Sequence, residues 1–197
     1  MISYDIAKAI LWPLLGGIWR MRVSGRENVP RTGPVIIACN HRSYLDPPAL
    51  GTASPRRVRY MAKKELFDIP VLGPMIASFG AYPVDRTGTP MAAIRRSVDV
   101  LRAGGCIGIF PEGTRNRDGS EAARQGVALL ASLATAPVVP ACVVGGDRAK
   151  ALHQIKVAFG PPLALPANRK ATREEMAKFT EQVMSEIRSL AERLDGN

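Results

Sequence analysis

Val35-Ile36-Ile37-Ala38-Cys39-Asn40-His41-Arg42-Ser43-Tyr44-Leu45-Asp46-Pro47-Pro48 is the stretch that decides the fold class. It opens with five apolar residues, three of them β-branched, just after the turn residues Gly33-Pro34. A run of that length and branching reads as a short strand buried on both faces. A polar turn follows. Asp46-Pro47-Pro48 then reads as a helix start, with aspartate as N-cap and proline in the first turn. Strand, turn and helix in one unbroken order make a βα unit, so the sheet is expected to contain parallel strands.

The same pattern recurs outward from it. Apolar runs at 58–62, 81–84, 106–110, 138–144 and 155–159 read as further strands. Thr89-Pro90 reads as a cap and first-turn proline, Met91, Ile94, Val98 and Leu101 form one face, and Gly104-Gly105 ends that helix. A second helix is expected over 121–133. A third opens at the capping box Thr172-Arg173-Glu174-Glu175 and turns Met176, Phe179, Val183, Ile187, Leu190 and Leu194 inward. Residues 66–80, broken by Pro70, Gly73 and Pro74, read as an irregular surface segment or channel wall. Strands alternating with helices predict a single layered α/β domain with a central, mostly parallel or mixed sheet flanked by helices.

Composition narrows the class without choosing a ligand. With 197 residues, 46% apolar and 22% charged, the chain suits one globular domain. Its formal net charge of +10 draws nucleic acid, anionic headgroups and phosphorylated small molecules alike. Cys39, Cys106 and Cys142 sit in apolar runs without metal-ligand spacing and read as buried hydrophobes in a reducing compartment. Two histidines, His41 and His153, rule out a multi-histidine metal site.

The N-terminus carries no secretory signal, and the uncharged stretch 9–19 is too short for a bilayer core, which takes roughly 20 residues. Ile6, Ile10, Leu14, Ile18 and Met21 fall at helical spacing, with Trp12 and Trp19 inside and Lys8 and Arg20 at the flanks. That pattern suits a helix at the membrane interface over residues 1–21, with 22–197 as the α/β domain. It also suits a helix packed on the protein's own core or on a partner copy.

Three segments hold chemistry. His41 and Asp46 are five residues apart, about 140° around a helix, so one helical face does not present both. A turn that folds the Asp46 carboxylate back toward the imidazole would fix its tautomer and leave Nε2 as a general base. By spacing alone, Asp46 is equally a cap and His41 a loop residue. Phe110-Pro111-Glu112-Gly113-Thr114-Arg115 follows another buried strand, and ligands bind at strand C-termini in open α/β sheets. Arg115 offers a fork matched to phosphate, although the segment also reads as a polar turn with a surface arginine. Gly80 through Arg86 puts an arginine just before a helix start, an anion-friendly place, or merely forms an Asp85–Arg86 surface pair.

Taken together, Asn40 through Asp46, Gly80 through Arg86, Phe110 through Arg115 and Val138-Val139-Pro140-Ala141 resemble, in order, four motif blocks of the glycerolipid acyltransferases. The likeness is greatest to the bacterial lysophosphatidic acid acyltransferases (1-acylglycerol-3-phosphate O-acyltransferases), and Lys63-Lys64-Glu65-Leu66 and Phe159-Gly160-Pro161-Pro162 add to it across roughly 22–165. The resemblance implies acyl transfer from acyl-CoA or acyl-carrier protein to the sn-2 hydroxyl of 1-acylglycerol-3-phosphate, with no bound cofactor or metal. His41 is then the base and Asp46 its orienting partner. Arg86 and Arg115 hold the acceptor phosphate, Glu112, Gly113 and Thr114 shape that pocket, and Lys63 or Lys64 binds phosphate or the oxyanion. It further implies a lysophospholipid substrate, an anionic membrane surface and acyl-carrier protein as partners, at the cytoplasmic face of the cell membrane as a peripheral protein. Pro83 and Ala123 depart from the usual pattern without removing a reacting group.

Acceptors such as glycerol-3-phosphate or another lysophospholipid fit the same motifs. A non-catalytic basic membrane-binding module would dispense with His41. A nucleic-acid binder would call for stacking aromatics or a helix-turn-helix; aromatics are 6% and neither signature is present.

Overall fold

The computed structural model describes residues 4–84, 90–112, 126–148, 153–166 and 171–196. Its strands are β1 (Arg22–Ser24), β2 (Val35–Cys39), β3 (Val58–Lys63), β4 (Tyr82–Val84), β5 (Cys106–Ile109), β6 (Val138–Val144) and β7 (Lys156–Phe159). Its helices are α1 (Tyr4–Ile18), α2 (Asp46–Ala53), α3 (Leu72–Ser78), α4 (Pro90–Arg102), α5 (Gly126–Ala134) and α6 (Arg173–Asp195). The strands form one sheet in the order β1-β7-β6-β2-β5-β3-β4. Every pairing is parallel except β6 with β7. The sheet is therefore mixed and mostly parallel.

β2 lies at the centre and is buried along its whole length. The two-residue period of a strand sends Val35, Ile37 and Cys39 to one face, onto Leu15 of α1 and Ala49, Leu50 and Ala53 of α2. Ile36 and Ala38 point the other way, onto Val98 and Leu101 of α4, Val127 and Leu130 of α5, and Phe179, Val183 and Ile187 of α6. Helices thus cover both faces, which is why the strand reads as a continuous apolar run rather than an alternating one. Truncating Ile36 or Ile37 to alanine removes a fully buried side chain and costs about 2–5 kcal/mol.

α6 begins at the expected capping box: Thr172 Oγ1 accepts from the Glu175 amide, and Glu175 Oε2 accepts from the Thr172 amide. Two expectations change, and one strand was not foreseen. Met91 is 52% exposed at the start of α4, whose inner face is Ile94, Val98 and Leu101. Residues 72–78 are helical: Pro74 sits in the first turn of α3, where no amide partner is needed. Gly73 lets that helix close on the preceding turn, since a Cβ there would meet the Phe67 carbonyl oxygen at 2.1 Å. β1 carries no strand pattern of its own and is extended through pairing Arg22, Val23 and Ser24 with β7. The Thr89 cap and residues 121–125 of the expected second helix lie outside the described residues.

α1 has two apolar faces. Tyr4, Ala7 and Leu15 are buried and Leu11 packs on the core, while Ile6, Ile10, Trp12, Leu14 and Ile18 are each more than 40% exposed. Trp19 and Met21 pack against the core, and Lys8 is turned inward to donate to the Ser54 carbonyl, its pKa lowered by burial and by Arg26. Of the groups expected to face a membrane, Trp19, Met21 and Lys8 therefore do not. No helix among the described residues is long and apolar enough to cross a membrane.

Candidate active site

Parallel pairing sets the C-terminal ends of β2, β5, β3, β4 and β6 on one edge of the sheet. The sequence-predicted groups follow those ends. His41 is two residues beyond β2, Glu112 three beyond β5, and Lys63 is the last residue of β3. Lys63 is paired with Val84 at the end of β4, the strand that leads toward Arg86. Lys63 and Lys64 are both exposed. Arg86, Gly113, Thr114 and Arg115 lie outside the described residues.

The turn after β2 folds Asp46 back onto His41. Oδ2 of Asp46 lies 3.2 Å from His41 Nδ1 and accepts from the amides of Arg42 (2.7 Å) and Ser43 (2.6 Å). An oxygen already receiving two amide protons is an acceptor, so Nδ1 carries the hydrogen and Nε2 keeps its lone pair. Asp46 is 1% exposed, whereas 18% of the His41 side chain stays open. Asp46 is not the N-cap expected from sequence. Leu45 occupies that position without a side-chain bond, and Asp46 is the first helical residue, with its carboxylate directed to the preceding turn. It still lies at the helix N-terminus, where a negative charge is favoured.

Two further contacts fix the imidazole. The His41 ring stacks on Phe110, centroids 4.2 Å apart at 26°, and Phe110 stacks on Tyr60 at 6.1 Å. Tyr60 can lie there because its partner on β5 is Gly108, where a Cβ would stand 2.3 Å from the Tyr60 ring. Tyr60 also donates to the Pro47 carbonyl at the start of α2. The His41 amide donates to Glu112 Oε2 at 3.2 Å. Burial raises the Glu112 pKa, against lowering by that bond, by His41 and by Arg42.

Asn40 was part of the motif but had no assigned task. Its side chain continues the β2–β6 ladder where the backbone leaves it: Oδ1 accepts from the Val143 amide (2.8 Å), and Nδ2 donates to the Val143 carbonyl (2.9 Å). The hydroxyl of Ser43 donates to the Gly146 carbonyl at 2.8 Å. These braces reach across 103 residues, so no local pattern announces them. Among the described residues, no three His, Cys, Asp or Glu side chains cluster as metal ligands.

A buried carboxylate beside a partly open imidazole, with Lys63 at the end of the neighbouring strand, is an arrangement able to act as a general base. The family model described as Acyltransferase matches residues 20–144. The chain belongs to the acyltransferase family. A relative named 1-acyl-sn-glycerol-3-phosphate acyltransferase, from Bacillus subtilis, is 32% identical over 194 residues, covering 96% of this chain and 96% of that one. A Streptococcus pneumoniae protein of the same name is 29% identical over 162 residues, and the match takes in 80% of this chain and 60% of that relative. The crystal structure of the 1-acyl-sn-glycerophosphate (LPA) acyltransferase PlsC from Thermotoga maritima superposes with a TM-score of 0.72 at 23% identity, covering 98% of this chain and 83% of that one. At that identity the superposition speaks for the fold of this acyltransferase.

Proposed function

We propose that this acyltransferase moves a fatty acyl group from acyl-CoA or acyl-carrier protein to the sn-2 hydroxyl of 1-acylglycerol-3-phosphate. The observation that carries the reading is the 3.2 Å contact between His41 Nδ1 and Asp46 Oδ2 at the ligand-binding edge of the sheet. His41 Nε2 takes the acceptor's hydroxyl proton as that oxygen attacks the thioester carbonyl. The tetrahedral oxyanion collapses, the carbon–sulfur bond breaks, and the leaving thiolate takes the proton back from the imidazolium. An ester and a free thiol result, without an acyl-enzyme. Base catalysis of this kind supplies about 10²–10⁴ in rate.

Arg86 and Arg115 are assigned to the acceptor's phosphate, with Gly113 and Thr114 around it, and Lys63 or Lys64 to phosphate or oxyanion. Glu112 is better suited to bracing the His41 amide than to meeting an anion of its own sign. Positioning the hydroxyl by such a clamp is itself a large source of acceleration. Residues 1–21 serve as an interfacial element on the 22–197 domain: the outward face of α1, with Ile6, Ile10, Leu14 and Ile18, suits the anionic cytoplasmic surface of the cell membrane.

Purified protein mixed with acyl-CoA alone should release no thiol, and addition of lysophosphatidate should start release matched by labelled diacyl product. Release independent of the acceptor, or a stoichiometric burst before acceptor is added, would contradict direct transfer. A panel with glycerol-3-phosphate and other lysophospholipids identifies the preferred acceptor.

A further inference from the structure

Gly146 lies in the turn that leaves β6 and is buried beside the His41 turn. Its neighbour Gly145 has φ +85°, a conformation that favours glycine, but Gly146 lies outside that region and any residue could adopt its φ. What excludes a side chain is space. A Cβ on Gly146 would stand 2.8 Å from Asp46 Oδ1 and 3.2 Å from Ser43 Cβ. Oδ1 is the far oxygen of the carboxylate whose other oxygen, Oδ2, meets His41 Nδ1 and two backbone amides. Gly146 is tied to the same turn: Ser43 Oγ donates to its carbonyl and accepts from the Leu45 amide at 3.2 Å.

We infer that Gly146 is a positioning residue for acyl transfer, its bare Cα acting as the stop against Asp46 Oδ1 that aims Oδ2 at His41 Nδ1. The inference rests on the acyl-transfer reading above and adds a partner to its base. Interior contacts shorter than van der Waals separation are relieved by rotation or displacement. A methyl group at position 146 therefore turns the carboxylate about its Cβ–Cγ bond, lifting Oδ2 off the imidazole. Gly146 is not among the residues assigned to the acceptor, so the effect is expected on turnover.

The test is Gly146→Ala measured alone and in an Asp46→Ala background. In the otherwise native chain kcat should fall about 10- to 100-fold, the scale of a misplaced catalytic group, with both KM values within about twofold. With Asp46 cut back to its Cβ there is no Oδ1 to meet, and the same substitution should cost no more than about twofold. Equal losses in the two backgrounds, or a raised KM with kcat held, would overturn the inference. ¹⁵N spectra of the two imidazoles add a readout independent of turnover: Gly146→Ala should weaken the hydrogen-bonded Nδ1–H signature of His41 and leave His153 unchanged. An unaltered His41 spectrum overturns the inference even in an inactive protein, whereas a wild-type chain inactive on lysophosphatidate overturns only the substrate assignment. Should Gly146→Ala not fold, Ser43→Ala releases the same tether. A smaller loss, about threefold to tenfold, is expected, again vanishing in Asp46→Ala; full activity with an unchanged spectrum would overturn the inference.

Discussion

Asn40 shows how the turn after β2 is held by a side chain with no part in the proposed chemistry. Its amide pairs both polar groups of Val143 in a fully enclosed place. Asn40→Ala strands a buried N–H and C=O and should cost about 2–3 kcal/mol in urea unfolding. Glu112 gives a second prediction at this scale. Its raised pKa means that the folded chain holds the proton to higher pH than the unfolded one. The stability this contributes is complete below the ordinary value of 4.5 and is lost as pH climbs through the raised value. Glu112→Gln keeps an oxygen for the His41 amide and never ionises. Its unfolding free energy relative to wild type should therefore rise with pH above about 4.5 and then level off; a flat difference would contradict the assigned burial. That His41, Asp46 and Glu112 would come together was legible because each follows a buried apolar run, and parallel strands bring such ends to one edge. Asn40, Ser43 and Gly146 were not, because each works through a backbone or carboxylate partner remote in sequence. For Asp46 the expected fold-back onto His41 is seen, and only the N-cap position moves, to Leu45.

α1 is the element whose sequence pattern was real but incomplete. The 6, 10, 14, 18 stripe was visible and is the outward face. The second stripe, Tyr4, Ala7, Leu11 and Leu15, was hidden by it because a helix apolar on two sides has no clean polar face to set the contrast. The difference changes the experiment. Deleting residues 1–20 would uncover Val29, Ile37 and Leu50 beneath Leu15, so loss of vesicle binding would be confounded with loss of fold. Ile10→Glu instead places a charge on a side chain 56% exposed. It should leave melting unchanged and cut sedimentation with phosphatidylglycerol vesicles severalfold; undiminished binding would remove this face from the membrane. α3 and β1 escaped the sequence for opposite reasons. Proline in a first turn imitates a breaker, and a three-residue edge strand takes its form from its partner.

The whole chain carries a formal net charge of +10 on a sheet covered by helices on both faces, and such a charge attracts anionic ligands. Its three thiols are all buried, and burial pushes Cys106 and Cys142 to about 12 and Cys39 well above its ordinary value. Native protein should thus react with a thiol reagent far more slowly than denatured protein, which should expose all three thiols. The same reagent then reports thiol released from acyl-CoA against a quiet background. In that assay His41→Ala tests the central claim most directly. The account predicts release slowed by about 10²–10⁴ while circular dichroism and melting match the native chain. Release at the native rate from a folded His41→Ala protein would contradict it.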